Sequence, residues 1–136
     1  MITAVDSNVL LDVFGADPTF GPASREALRR CRTEGALIAC DVVWAEVAAA
    51  IPSPGGAGAA MERLGVASSA LDAGRRPSPA IAWRSYRGGG GERLRVIADF
   101  LVGAHAERQA ERLLTRDRGF YRSSFAELRI LDPTRP

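Results

Sequence analysis

Four acidic residues of this sequence have apolar neighbours where a carboxylate needs company. Asp6 ends the run "ITAV", Glu46 lies inside "VVWAEVAAAI", Asp99 inside "VIADFLVGAHA", and Asp117 two residues after "LLT" in "TRDRGFY". On a helix, Val42, Val43, Ala49 and Ala50 would share the stripe of Glu46, and Val96, Val102, Gly103 and Ala106 that of Asp99. A carboxylate buried there is costly unless it is neutralised, paired or bound to a cation. Taken singly, each acid has a plainer explanation. Asp6 could cap a helix, Glu46 could snorkel or pair with an arginine, and Asp117 could serve a turn. Asp99 is the hardest to explain that way.

Brought together, the four would repel one another, and their pKa values would rise unless a cation joined them. The guest that suits such oxygen donors is Mg²⁺ or Mn²⁺, which keeps waters and leaves positions for phosphate oxygens. Zinc fits poorly, because the sole histidine, His105, does not share the helical face of Asp99. A carboxylate-held metal without Lys, Ser–His or thiolate machinery points to metal-assisted hydrolysis of a phosphodiester.

What could bring the acids together is an alternation of short apolar strands with helices. Strands are expected at 2–6, 36–40, 113–115 and 128–131, with "VASSAL" (66–71) a further short one. Helices are expected from Ser7 or Asn8, over 23–35, after an Asp41 cap, around 57–65 and 78–87, and over 93–113. Continuous apolar strands between helices predict an α/β fold with a parallel sheet covered on both faces. In such a sheet the crevice lies outside the carboxyl ends of the strands, the edge where strand-end acids and helix starts converge.

The totals set outer limits. A chain of 136 residues, 46% hydrophobic and 25% charged, has the composition of one soluble globular domain. The apolar start lacks a basic leader and is interrupted by Asp6 and Asp12, so a cytoplasmic protein is expected. Cys31 and Cys40 have no metal-ligand spacing and read as small core residues. All 18 basic residues are arginine. Without a lysine, P-loop NTPases, Schiff-base enzymes, receiver domains and haloacid-dehalogenase phosphatases are excluded.

The stretches "AVDSNVLLDVF", "CDVVWAEV", "RVIADFLVGAHA", "LLTRDRGFY" and "LRILDP" resemble the PIN-domain ribonucleases, and among them the VapC-type toxins of bacterial toxin–antitoxin pairs. The resemblance runs over essentially the whole chain and implies a single PIN domain, 1–136. It implies a three-layer sandwich whose central parallel sheet has about four to five strands. It further implies that Asp6, Glu46, Asp99 and Asp117 are the catalytic, metal-binding acids. Asn8 would orient the first Asp, and Thr115 would hydrogen-bond within the acidic pocket. Mg²⁺ or Mn²⁺ dependence, RNA cleavage, homodimerisation and inhibition by a cognate antitoxin are implied with them. Ser7 stands where threonine is also common, and the Gly- and Pro-rich 52–91 region corresponds to the family's most variable part. Two alternatives remain: a PIN nuclease of housekeeping RNA processing, and a non-catalytic module that binds RNA or protein. The first candidates for gripping RNA are Arg116 and Arg118, which flank Asp117. For a groove that holds the antitoxin they are Leu11, Val13, Phe14 and Trp44.

Overall fold

The computed structural model describes residues 1–72 and 96–135. In chain order the elements are β1 (Ile2–Val5), α1 (Ser7–Phe14), α2 (Gly21–Glu34), β2 (Ala36–Ala39), α3 (Asp41–Ala50), α4 (Gly56–Leu64), β3 (Val66–Ser68), α5 (Val96–Gln109), β4 (Arg112–Leu114), α6 (Arg118–Ser124) and β5 (Ile130–Leu131). Five parallel strands form one sheet in the order β3-β2-β1-β4-β5, flanked by the helices as an α/β sandwich. The order steps outward both ways from β1, which puts the switch point between β1 and β4. Thr3, Ala4 and Val5 of β1 are fully buried, which is why this strand carries no alternating pattern. Among the described residues no helix is long and apolar enough to cross a membrane.

Several boundaries differ from the sequence expectation. The helix expected over 93–113 ends at Gln109, and the strand expected at 113–115 starts at Arg112. Apolar periodicity could not place that boundary, because Arg112 is a buried strand residue. Its guanidinium donates to Thr3 Oγ1 at 2.8 Å and pairs with Glu34, which is therefore not simply solvated. Asp41 does not cap α3; Cys40 occupies the cap and Asp41 is the first helical residue. "VASSAL" supplies only the three residues of β3, and β5 only two. The helix expected at 78–87 lies outside the described residues. Helix α6 was not foreseen, since a seven-residue segment offers too little periodicity.

Two contacts fix α5 relative to the site. At its C-terminal end His105 meets Ser69 Oγ at 2.9 Å, and Gln109 donates to Ser69 Oγ and the Ala70 carbonyl. Gly103 lies so close to Phe125 that a Cβ there would sit 2.3 Å from the ring. Phe100, Phe120 and Phe125 pack edge-on or tilted around this approach, with ring centroids 5.4 and 5.6 Å apart from Phe100.

Candidate functional site

Asp6 follows β1 directly and caps α1, its Oδ1 accepting the Ser7 N–H at 2.8 Å. Its other oxygen, Oδ2, accepts from the Thr115 hydroxyl at 2.8 Å, the Tyr121 hydroxyl at 3.2 Å and Asn8 Nδ2 at 3.3 Å. Thr115 follows β4, the strand beside β1, so parallel pairing itself brings the two residues to the same edge. The Thr115 oxygen also accepts from Asn8 Nδ2 and from the Asp117 N–H. Asn8 closes the knot, for its Oδ1 accepts the Arg116 N–H at 3.2 Å. Sequence reasoning thus named three of the knot's members, Asp6, Asn8 and Thr115. It missed Tyr121, a fully buried phenol whose hydroxyl needs a polar partner; the signal was an aromatic one position after Phe120, in a helix not foreseen.

The electrostatics join the other acids to this knot. Burial pushes the Asp6 carboxyl up against the lowering effect of its hydrogen bonds, and the charge of Asp117 adds to the rise. Partial desolvation, then the charge of Asp6, raises Glu46, while a hydrogen bond from the Ser7 side chain opposes the change. Burial drives Tyr121 far up, followed by the charges of Asp6, Asp99 and Asp117, so the phenol remains a donor. Asp6, Asp99 and Asp117 therefore each act on another group of one region, and Glu46 is acted on by Asp6.

Their burial is uneven. Asp6 is 5% exposed, whereas Asp99 is half-buried and Glu46 is exposed. The stretch around Asp99 is less buried than its composition predicts. Residues 102–106 pack inward, but Ile97 is 58% exposed at the opening turn. Among the described residues no three Asp, Glu, His or Cys side chains stand close enough together to hold one ion. The donor set still fits Mg²⁺ or Mn²⁺. It is oxygen throughout, the charge of Asp117 contributes to raising Asp6 and that of Asp6 to raising Glu46, and Mg²⁺ commonly takes only one or two carboxylates and completes its shell with water.

Of the two candidate RNA grips, Arg116 has a different engagement. Its Nε donates to Asp12 Oδ2 at 2.7 Å and its Nη2 to Oδ1 at 2.9 Å, and the guanidinium lies 4.0 Å from the Phe20 ring centroid. Asp12 is buried and also accepts from Ser24 Oγ at 2.7 Å. This pair ties the loop bearing Asp117 to α1 and α2. Arg118 opens α6 beside it. The four groove candidates Leu11, Val13, Phe14 and Trp44 are partly buried against the core. Val13 also lines an outer cleft of about 230 Å³, with Leu28 and Leu64 beside it and Arg25, Arg29 and Arg32 at its rim.

Comparison with curated proteins gave no match. Among solved structures, VapBC2 from Rickettsia felis bound to a promoter DNA fragment is similar at a TM-score of 0.72 and 14% identity, covering 97% of this chain and 98% of that one. VapBC-1 from nontypeable Haemophilus influenzae gives 0.67 at 15% identity, with 99% and 100% covered. FitAcB from Neisseria gonorrhoeae gives 0.66 at 20% identity, with both chains covered completely, at 100%. At these identities the likeness is one of fold. The family is given by sequence: the PIN domain model matches residues 3–126, and the chain belongs to the PIN-domain family.

Proposed function

We propose that this protein is a Mg²⁺- or Mn²⁺-dependent endoribonuclease, the toxin of a toxin–antitoxin pair, acting in the cytoplasm as a homodimer. The observation that carries the nuclease reading is the knot around Asp6, on which the charges of Asp117 and Asp99 bear and whose own charge acts on Glu46. Asp6, Glu46, Asp99 and Asp117 are the residues that would hold the metal. When bound, the ion would supply an activated water and stabilise charge on the leaving oxygen. Thr115 and Tyr121 hold the Asp6 carboxylate in place, and Asn8 couples it to the loop of Asp117. Such support fixes an acidic ligand within the narrow tolerance catalysis needs.

The toxin role is supported by similarity to structures named VapBC, together with the VapC-like motifs of the sequence. The cleft beside Val13 suits the antitoxin, because an apolar floor under three arginines favours an amphipathic acidic segment. Purified chain is expected to cut single-stranded RNA with Mg²⁺ or Mn²⁺ and to stop on chelation. Expression is expected to arrest growth until a cognate antitoxin is co-expressed. Cleavage undiminished by EDTA would sink the metal mechanism, and harmless expression of an active nuclease would sink the toxin role.

A further inference from the structure

A second cleft, of about 370 Å³, opens beside the acids and is lined by Arg116, Asp117, Arg118, Gly119, Arg122, Asp132 and Arg135. Its charges are already sorted. Arg116 is held by Asp12 through two hydrogen bonds, which raise its pKa further. Asp132 is 7% exposed, and one of its oxygens accepts from the Thr134 N–H and hydroxyl at 2.9 and 2.7 Å. That leaves Arg118, Arg122 and Arg135, none of which is in an ion pair among the described residues. Arg118 and Arg122 are four apart on α6 and so share a face. Arg135 comes from the segment after β5, where its N–H donates to the Asp132 carbonyl at 3.1 Å. Two separate segments thus bring three arginines to one opening that Asp117 also lines.

We infer that this cleft, through Arg122 and Arg135 together with Arg118, binds the phosphate backbone of the RNA strand next to the bond that is cut. The inference rests on the nuclease reading above. A guanidinium grips phosphate through paired hydrogen bonds. Neutralising a phosphate contact lowers the slope of log affinity against log salt by about 0.7 for a single strand. The cleft lies beside the acids, because Asp117 lines it and its N–H donates to Thr115 Oγ1, whose hydroxyl in turn donates to Asp6 Oδ2. The sequence alone pointed to Arg116 and Arg118; the structure moves the grip one helical turn along α6 and onto the C-terminal segment.

The test compares the parent chain with the Arg122→Gln/Arg135→Gln double variant, both in an Asp6→Asn background with Mg²⁺ present. Binding of a fluorescein-labelled single-stranded RNA is followed by anisotropy across a salt series. Both arginines are exposed, so the variant is expected to melt with its parent. The expected result is a slope shallower by about 1.4, since each arginine neutralises one phosphate. An unchanged slope overturns the cleft while leaving the nuclease reading intact. A double variant that keeps the slope but no longer captures the antitoxin assigns the cleft to the protein partner and overturns it too. Failure of the otherwise wild-type chain to bind or cut RNA with Mg²⁺ overturns the underlying reading instead.

Discussion

Asp6 is 5% exposed and accepts hydrogen bonds from Ser7, Asn8, Thr115 and Tyr121, whereas Glu46 is exposed and Asp99 half-buried on their helices. The first acid directly follows one strand, and its closest support, Thr115, directly follows the neighbouring strand. Backbone pairing within the sheet therefore sets their separation. Glu46 and Asp99 are carried by α3 and α5, whose positions follow from side-chain packing on α1, β1 and β4. One half of the site is placed by hydrogen bonds and the other by helix packing. The two should fail in different ways.

The largest effect is expected at the hydrogen-bonded half. Asp6→Asn should lower cleavage by at least about 10²-fold to 10³-fold, the scale of losing a preorganised electrostatic group. Thermal stabilisation by added Mg²⁺ or Mn²⁺ should vanish with it. Metal-free stability at neutral pH should hold or rise, because a carboxyl raised in the folded state costs stability once pH passes the ordinary Asp value. Retained cleavage in a gel assay would break the contrast at its centre.

Next comes Thr115, whose oxygen donates once and accepts twice. Thr115→Val keeps the shape and loses all three bonds, so activity should fall by about 10-fold to 100-fold, as for other partners of metal-site ligands. Thr115→Ser should restore most of it. If serine fails while valine keeps its activity, packing of the methyl group rather than the hydrogen bonds positions Asp6, and the two halves are alike.

This division also explains what could be read from sequence. Parallel strands announce themselves as unbroken apolar runs, so the sheet and its strand-end residues Asp6, Thr115 and Asp117 were legible in one dimension. Glu46 and Asp99 were found as acids in apolar surroundings, but their burial was overstated, because a stripe of apolar neighbours does not say how far the helix extends past its packing partner. Tyr121 and the Asp12–Arg116 pair were not legible. A phenol, a carboxylate and a guanidinium have ordinary surface uses, and only the fold brings residues 104 positions apart into a bidentate pair. Arg116 looked like a free grip for the same reason.

The packed half can be probed without touching an acid. Gly103→Ala places a methyl 2.3 Å from the Phe125 ring, which must move away or push α5 off. Overpacking of this kind costs about 1–3 kcal/mol, and the shift should reach Asp99 one turn before it. Cleavage should fall several-fold while the variant remains folded by circular dichroism. Ile97→Ala, on the same helix but 58% exposed, should change neither measurement. Full activity in Gly103→Ala would mean that Phe125 yields and that α5 is not positioned by this contact.

The smallest effect belongs to His105, which anchors the far end of α5. Burial lowers its pKa, with the charge of Asp41 and a hydrogen bond donated to the Ser69 backbone opposing the shift. The unfolded chain protonates this histidine near its ordinary value, roughly 6.5, while the folded chain resists until lower pH. Between those values the unfolded state binds more protons, so the His105 contribution is fully present above roughly pH 6.5 and is lost as pH falls. Asp6 and Glu46 are raised in the folded state and act in the opposite sense, so a single stability profile mixes the two. The difference between wild type and His105→Gln separates them, since glutamine can still meet Ser69 but does not titrate. That difference should be flat above roughly pH 6.5 and should turn in favour of the variant below it, by at most about 1.4 kcal/mol per pH unit. A flat difference at all pH values would show that α5 opens around His105 before the rest of the chain unfolds. The packed half of the site would then be the softer one.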